Sequence, residues 1–524
     1  MKIIPVGAAV LSALMMNAGL AMADVTLPHI FSDHMVLQQN RVVPVWGMAS
    51  PGEKVTVAVG GSQATATAGA DGRWMAKLPG LKAGGPYDLT VTGDNTVTLR
   101  DVLVGEVWLC SGQSNMDFTV AKTPKYYFAG TANETAEVKA ANYPRIRMFS
   151  GEWAKSATPQ SDVGGRWKAC TPENAREFSA IGYFFARDLQ KALDVPVGII
   201  TETFGASTAE AWVRREALAA NPQLKPMLDT FDAAVQAYPE ATRQAEAQAR
   251  VAADAQLAQA EAADVAAWKA NPDQISTVPS PKGARSRDPA QNQHNPTVMY
   301  NGMIAPIVPY GIQGVLWYQG ESIVGGAAGD KLYPVVQETL IEDWRQLWGR
   351  ELPFYIVQVA ALQNNSNNPT VREAQATVLK LPNTGMAVTI DIGDPKSVHP
   401  KDKQDVGDRL CRIALANVYG QKLEYSGPMY ESMQVEGDKI RINFSHTGGG
   451  LVAKGGDLQW FTIAGADGKQ APAQARIDGQ TVVVSSPAVP EPKSVRYAWD
   501  RYPLGCNLYN AEGLPAAPFR TDTD

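Results

Sequence analysis

Hydrophobic and polar residues alternate along the chain from about residue 25 to residue 100. Short runs such as Val55-Val57-Val59 and Tyr87-Leu89-Val91 place every second side chain on one face, and turn residues such as Asp71-Gly72 separate the runs. An alternation with period two is typical of half-buried antiparallel strands. We therefore predict a small β domain over residues 24–102.

From about Leu103 the pattern changes to continuous apolar runs that are separated by helical segments. Continuous apolar runs predict strands that are covered on both faces. Residues 177–193 carry apolar side chains at helical spacing, which predicts an amphipathic helix. The alternation of strands and helices predicts an α/β domain with a parallel, doubly wound sheet over residues 103–423. The five runs are "VLVGEVWL", "VPVGIITETF", "GIQGVLWY", "PFYIVQVA" and "GMAVTIDI".

Two further segments depart from this alternation. Residues from 215 to about 290 are first rich in Ala, Gln and Glu and then in Pro, Ser and Arg, which predicts a helical insertion that ends in a loop. From residue 424 the period returns to two, as in Ile440-Ile442-Phe444. We predict a second β domain over residues 424–524.

The first 23 residues have the pattern of a secretory signal peptide. A lysine precedes an apolar run that is broken only by small residues, and Ala21-Met22-Ala23 stands before Asp24. The run is shorter than the ~20 apolar residues that a membrane span needs. We expect a cleaved signal over residues 1–23, a periplasmic or secreted protein and no membrane span.

Charge and cysteine content exclude several classes of function. The formal net charge is -6 and we find no basic cluster, which argues against nucleic acid as a partner. The four cysteines show no C-x-x-C pair that would indicate zinc or a redox dithiol, so we expect neither metal nor cofactor. Export permits disulfides, but the sequence leaves their pairing open, and the oligomeric state as well. The cysteines are Cys110, Cys170, Cys411 and Cys506.

Chemically useful residues follow four of the predicted strands. In an open α/β sheet, ligands bind beyond the carboxyl ends of the strands, where the loops diverge. The first strand ends at Ser114, the second at Gly205, the third in "WYQGES" with Gln319 and Glu321, and the fifth in "DIGDPKSVHP" with Asp391, Asp394 and His399.

These residue types suit acyl transfer by a serine nucleophile. Such a site needs a base for the hydroxyl proton and donors for the oxyanion of the tetrahedral intermediate. His399 can act as the base, and the backbone amides of Ser114 and Gly205 with the side chain of Gln319 can form the oxyanion hole. A neutral histidine base predicts activity that rises with pH through an apparent pKa near about 6 to 7.

Several longer motifs resemble the sialate O-acetylesterase-like carbohydrate esterases of bacteria, which belong to the SGNH hydrolases. The resemblance implies a flavodoxin-like, doubly wound sheet with flanking β-sandwich-type domains. It also implies that Ser114 attacks an acetyl ester, that His399 is the base, and that the partner is an acetylated carbohydrate. The motifs are "GEVWLCSGQSNM", "GIITETFGASTAEAW", "PTVMYNGMIAP", "GVLWYQGES", "DIGDPKSVHPKDKQDVG" and "LYNAEGLPAAPFRTD".

Two points of this interpretation stay open. Many members of the family carry Asp two residues before the histidine, where this chain has Ser397. We favour Asp394 over Asp391 as the acid that orients the base, with a Ser-His dyad as the third possibility. The substrate is an acetylated sialic acid or an acetylated plant polysaccharide such as xyloglucan or xylan. The rival class is a non-catalytic glycan-binding protein.

Overall fold

The computed structural model describes residues 24–123, 126, 128–270, 286–323, 329–363 and 369–522. The predicted signal peptide over residues 1–23 lies outside these ranges. Strands dominate the N-terminal part, helices and parallel strands the centre, and antiparallel strands the C-terminal part. In the described ranges no helix is both long and apolar enough to cross a bilayer.

The N-terminal part contains seven strands. They are β1 (Val36–Gln38), β2 (Val43–Met48), β3 (Lys54–Val59), β4 (Ser62–Thr67), β5 (Arg73–Leu78), β6 (Gly84–Thr92) and β7 (Thr96–Gly112). Strands β1, β6 and β3 join the central sheet through β7, and β4 pairs with β3 at the outer edge. Strands β2 and β5 form a separate antiparallel pair.

Strand β7 connects the N-terminal strands with the α/β centre. Up to Asp101 its residues alternate between exposed and half-buried, whereas every residue from Val102 to Gly112 is buried. The first half pairs antiparallel with β6, and the second half lies between two parallel neighbours. The boundary that we predicted between residues 102 and 103 therefore falls inside one strand, and the domain boundaries stay a prediction.

Within the described residues, six further strands and ten α-helices form the α/β centre. The strands are β8 (Tyr143–Gly151), β9 (Gly165–Cys170), β10 (Val197–Thr203), β11 (Gly314–Tyr318), β12 (Phe354–Val357) and β13 (Thr384–Ala387). The helices are α1 (Ser114–Asp117), α2 (Glu134–Ala140), α3 (Pro172–Ala175), α4 (Ala180–Leu193), α5 (Arg215–Ala220), α6 (Lys225–Ala237), α7 (Glu240–Ala270), α8 (Gly329–Leu347), α9 (Pro369–Ala376) and α10 (Lys403–Asn417). Helices α5 to α7 lie in the segment that was predicted to be a helical insertion.

The central sheet confirms the predicted doubly wound fold. Its strands follow the order β13-β12-β11-β7-β10-β8-β9, and all neighbours are parallel except β8 and β9. The five predicted strands thus have the flavodoxin-like order, with the second strand before the first. The first strand, β7, therefore lies at the topological switch point of the sheet.

Helices cover both faces of this sheet. Trp108 and Cys110 of β7 face a cluster that is formed with α4 and α10, while Val107 and Leu109 face a larger cluster that includes α8 and the N-terminal strands. This burial on both sides explains the continuous apolar runs. Helix α4 begins where the Ser179 hydroxyl accepts a hydrogen bond from the backbone N–H of Gly182, a regular N-cap.

The C-terminal part contains two four-stranded antiparallel sheets and a short pair. Their inner residues share one cluster with the centre of the protein, and none of the strands pairs with the N-terminal strands in the described ranges. All four cysteines are buried free thiols. The strands are β14 (Met429–Glu436), β15 (Lys439–Ser445), β16 (Leu451–Ala453), β17 (Phe461–Ala464), β18 (Ala471–Pro472), β19 (Gln474–Asp478), β20 (Thr481–Ser485), β21 (Ser494–Tyr497), β22 (Leu508–Asn510) and β23 (Phe519–Arg520).

Candidate active site

Ser114 and His399 meet at the carboxyl edge of the sheet. Ser114 is the first residue of α1, directly after β7, and its Oγ lies 2.8 Å from Nε2 of His399 in the loop after β13. The sharp turn before Ser114 requires glycine, because Gly112 has φ +129 and a Cβ there would lie 2.2 Å from the carbonyl oxygen of Tyr318. The structure thus brings together two residues that are 285 positions apart in the sequence.

Gly205 lies beside Ser114. A Cβ on Gly205 would be 3.8 Å from the Cβ of Ser114, so the loop after β10 passes next to the hydroxyl. The backbone N–H groups of Ser114 and Gly205 form no hydrogen bond with other described parts of the backbone. Both groups are therefore available to a ligand, as an oxyanion hole requires.

Gln319 is buried and its amide group is fully used inside the protein. Its Nε2 donates to the carbonyl oxygens of Ser207 at 3.2 Å and Ser322 at 2.8 Å, and its Oε1 accepts from the hydroxyl of Tyr333 at 2.8 Å. An amide nitrogen has only two hydrogens to donate. In this state Gln319 connects two loops of the site, and its predicted role as an oxyanion donor would require one of these bonds to break.

Asp394 organises its own loop. Its Oδ1 accepts hydrogen bonds from the backbone N–H of Lys396 at 2.7 Å and of Ser397 at 3.0 Å. This is the pattern of an Asx turn. No hydrogen bond joins Asp394 to His399 within the described residues, so its assignment as the orienting acid stays a prediction for which the structure provides no contact.

Asp391, the second candidate for the acid, belongs to a buried ion pair. Its two oxygens each lie 2.8 Å from the guanidinium of Arg409, and the hydroxyl of Tyr509 donates to the same carboxylate at 3.2 Å. The pair joins the end of the sheet to α10 and to the C-terminal part. It does not reach His399, and this geometry favours the dyad among the three possibilities.

The imidazole of His399 has an aromatic ring and a nearby ammonium group as neighbours. The ring of Phe128 stacks on it with a centroid distance of 4.4 Å and an interplanar angle of 30°. Burial, together with the nearby charge of Lys403, lowers the pKa of His399 to about 4. The neutral imidazole, which can accept the proton of Ser114, is therefore the stable form above that pH.

Three polar residues, two of them buried and Glu321 half-buried, form a network behind the serine. The ammonium of Lys403 donates to Oδ1 of Asn115 at 2.6 Å, and Nδ2 of Asn115 donates to Glu321 and to the carbonyl oxygen of Val398. The sequence analysis named Glu321 but gave no role to Asn115 or Lys403. Their positions directly after the candidate nucleophile and four residues after the candidate base were the signal that could have found them.

Aromatic side chains extend from the dyad along one wall of the site. Phe128 contacts Tyr126, Tyr126 contacts Trp153, and Trp153 contacts Phe204, with ring centroids between 5.3 and 6.2 Å apart. Phe204 precedes Gly205, which lies beside Ser114, so the wall returns to the serine. Trp153 is 45% exposed, and an exposed indole face next to such a site is suited to packing against a sugar ring.

The position of a serine after the first strand of a flavodoxin-like sheet, with a histidine from the loop after the fifth, defines the protein as a hydrolase of the SGNH type. Comparison with known proteins is more specific. Residues 234–416 match the family described as carbohydrate esterase, sialic acid-specific acetylesterase. A solved carbohydrate acetylesterase from Xanthomonas citri is 36% identical, covers 96% of this chain and 100% of its own, and superposes with a TM-score of 0.78.

Curated relatives agree with this result. The sialate O-acetylesterase of Mus musculus is 28% identical over 551 residues, covering 93% of this chain and 92% of the relative. The human sialate O-acetylesterase is 28% identical over 541 residues, with coverage of 93% and 91%. The chain belongs to the sialate O-acetylesterase family of carbohydrate esterases. It is an ester hydrolase that acts on acetylated carbohydrate.

Proposed function

We propose that this carbohydrate O-acetylesterase works through an acetyl-serine intermediate, with Ser114 as the nucleophile and His399 as the general base. The observation that carries the proposal is the 2.8 Å contact between Ser114 Oγ and His399 Nε2. A base within hydrogen-bond reach of the hydroxyl is the geometric requirement for activating a serine.

In the first half-reaction, Ser114 Oγ attacks the carbonyl carbon of the acetyl group while its proton moves to Nε2 of His399. The negative charge on the carbonyl oxygen is stabilised by the N–H groups of Ser114 and Gly205. His399 then gives the proton to the sugar oxygen, which leaves as a hydroxyl. In the second half-reaction, His399 deprotonates a water molecule that attacks the acetyl-serine, the bond between Ser114 Oγ and the acetyl carbon breaks, and His399 returns the proton to Ser114 Oγ as the acetyl group leaves as acetic acid, which ionises to acetate.

The substrate in this proposal is a sugar hydroxyl that carries an acetyl ester, on either sialic acid or a plant polysaccharide such as xyloglucan or xylan. The aromatic wall supports a sugar over a lipid, because it offers ring faces beside the dyad and is exposed at Trp153. Comparing acetate release from O-acetylated sialic acid, acetylated xyloglucan and acetylated xylan distinguishes these substrates.

The mechanism is tested with p-nitrophenyl acetate, p-nitrophenyl octanoate and the Ser114→Ala variant. We expect a strong preference for acetate over octanoate, and a loss of kcat on the order of 10³-fold or more in the variant, because it removes the nucleophile. Thermal melting serves as the control for folding. Retained activity in folded Ser114→Ala would disprove the mechanism, and preference for octanoate would indicate a lipid or thioester substrate.

Export is the second part of the proposal. The pattern of residues 1–23 supports cleavage after Ala23 and a periplasmic or secreted location. Sequencing the N-terminus of the protein produced with its complete leader tests this directly. A mature chain that begins at Asp24 is the expected result, and an intact leader in the cytoplasmic fraction would contradict it.

A further inference from the structure

Lys403 occupies an unusual place for a lysine. It is the first residue of α10, where the positive end of the helix dipole disfavours a cation. Its side chain is 1% exposed, although lysine is rarely buried without a partner. Neither helix stability nor solubility explains such a position, so the explanation must come from the contacts of its ammonium group.

These contacts connect the two loops that carry the dyad. The Lys403 ammonium binds Oδ1 of Asn115, the residue directly after Ser114. The same Asn115 donates to the carbonyl oxygen of Val398 at 2.9 Å, the residue directly before His399. Asn115 therefore bridges the backbone next to the nucleophile and the backbone next to the base, and Lys403 fixes the orientation of its amide group.

The surroundings of Lys403 make this arrangement specific. Its ammonium lies 4.6 Å from the ring centroid of Phe118 and 5.5 Å from that of Tyr318, and such contacts with ring faces stabilise a desolvated cation. Besides Tyr318, the charged or titratable groups that act on it are Glu321, Asp402 and His399. Burial lowers the pKa of Lys403 to about 7, against the opposing effect of Glu321 and Asp402.

We propose that Lys403 is a positioning residue for the esterase reaction: through Asn115 it holds the His399 loop against the Ser114 turn, and it provides the charge that the base faces. This inference rests on the proposed function. It assigns to a lysine part of the positioning task that a triad acid would perform.

The test compares Lys403→Met with the matched control Lys396→Met. Methionine keeps most of the length of the side chain and suits the neighbouring rings, whereas Lys396 is exposed and lies three residues from His399. The pH dependence of kcat and KM is measured for p-nitrophenyl acetate, with thermal melting for folding. Asn115→Ala and the double variant complete a double-mutant cycle.

For Lys403→Met we expect a loss of kcat on the order of 10²-fold with little change in KM, because a small displacement of the reacting groups is costly. We also expect the acidic limb of the pH profile to move up by about one pH unit, because the like charge next to His399 is gone. A purely structural role would not move this limb. Lys396→Met should resemble the parent in both measurements. The double variant of Lys403→Met and Asn115→Ala should lose no more kcat than the losses of the two single variants predict together.

Parent-like kcat and an unmoved acidic limb in folded Lys403→Met would overturn the inference. If that variant does not fold, Asn115→Ala must show a comparable loss of kcat, and parent-like activity there would overturn the inference as well. Failure of the proposed function gives a different result, because in that case Ser114→Ala retains activity whatever the lysine does.

Discussion

Two loops of this protein each hold a histidine, and their surroundings are opposite. In the C-terminal part, Nδ1 of His446 lies 2.8 Å from a carboxylate oxygen of Glu424. At the edge of the central sheet, His399 faces Ser114, the ring of Phe128 and the ammonium of Lys403. A carboxylate stabilises the protonated imidazole, whereas burial and a nearby cation stabilise the neutral one.

The comparison shows that the histidine next to the serine is not one that is paired with a carboxylate. His29 and His34 also contact carboxylates, those of Asp162 and Asp101, and among the described residues neither imidazole is hydrogen-bonded to a serine. The environment of His399, next to the serine, lowers its pKa and favours the neutral imidazole. For a base this state is useful, because only a neutral imidazole can accept the serine proton.

The largest effect that separates the two loops should come from removing each histidine. We expect His399→Gln to lower kcat by roughly 10³-fold or more, since a general base and its proton transfer are lost. His446→Gln should keep kcat within about twofold of the parent, because its ring contacts Glu424 and Tyr425 far along the chain from the dyad. Initial rates with p-nitrophenyl acetate measure both effects, and equal losses in the two folded variants would remove the distinction.

The next effect concerns stability at Asp391. Asp391→Asn should lower the free energy of unfolding by about 3 kcal/mol or more, because Arg409 is buried and would lose its main counter-charge. Asp408→Asn is the matched control, since it breaks a more exposed pair with Arg412 on the same helix and should cost about 0 to 1 kcal/mol. Denaturant unfolding measures both variants, and similar values for the two would show that burial does not strengthen the Asp391 pair.

The pH profile provides a third test. Because the pKa of His399 is lowered to about 4, the neutral base persists as pH falls, and activity should decline only as pH approaches about 4. At pH 5 the neutral fraction of an imidazole with an ordinary pKa near 6.5 would be about thirtyfold smaller than that of His399. Circular dichroism at each pH excludes acid unfolding. A midpoint between 6 and 7, as the sequence alone predicted, would show that Lys403 and burial have little influence.

The sequence predicted five strands of the central sheet and the strand ends where Ser114, Gly205 and His399 lie, but not the edge strands β8 and β9. Period and burial determine which residues are strand or loop, and parallel strands place their carboxyl ends at one edge. It could not predict where the hydrogens of Gln319 point, because one acceptor is a backbone carbonyl of another loop, at Ser207, and the other, at Ser322, depends on how the loop of Gln319 itself folds. Such directions depend on tertiary packing, which residue type and spacing do not encode.

The network of Lys403, Asn115 and Glu321 escaped prediction for a similar reason. From the sequence, a lysine at the start of a polar helix is expected to be exposed to solvent. In the structure Lys403 is buried because it packs against Phe118 and Tyr318. For the predicted acid, Asp394, the sequence suggested a contact that the structure does not show. Asp394 is near His399 in the sequence, but its loop turns back on itself and uses the carboxylate locally.

The smallest effect should come from Asp394→Asn, which separates charge from loop geometry. Asparagine keeps a side-chain oxygen that can accept the backbone N–H groups of Lys396 and Ser397, so the Asx turn survives while the negative charge is lost. We expect kcat to stay within about threefold of the parent, because no hydrogen bond from this carboxylate reaches His399 among the described residues. If Asp394 were the orienting acid, its replacement would instead lower turnover by about 10⁴-fold.

Asp394→Ala completes this test, since alanine removes the turn as well as the charge. We expect a larger loss of kcat in Asp394→Ala than in Asp394→Asn, because the loop that carries His399 would lose two of its hydrogen bonds, each worth about 1 kcal/mol. Stopped-flow and steady-state rates with p-nitrophenyl acetate, together with melting curves, measure both variants. If folded Asp394→Asn loses about 10⁴-fold in kcat, Asp394 is the orienting acid after all. His399 would then work with a carboxylate, and the contrast between its surroundings and those of His446 would not hold.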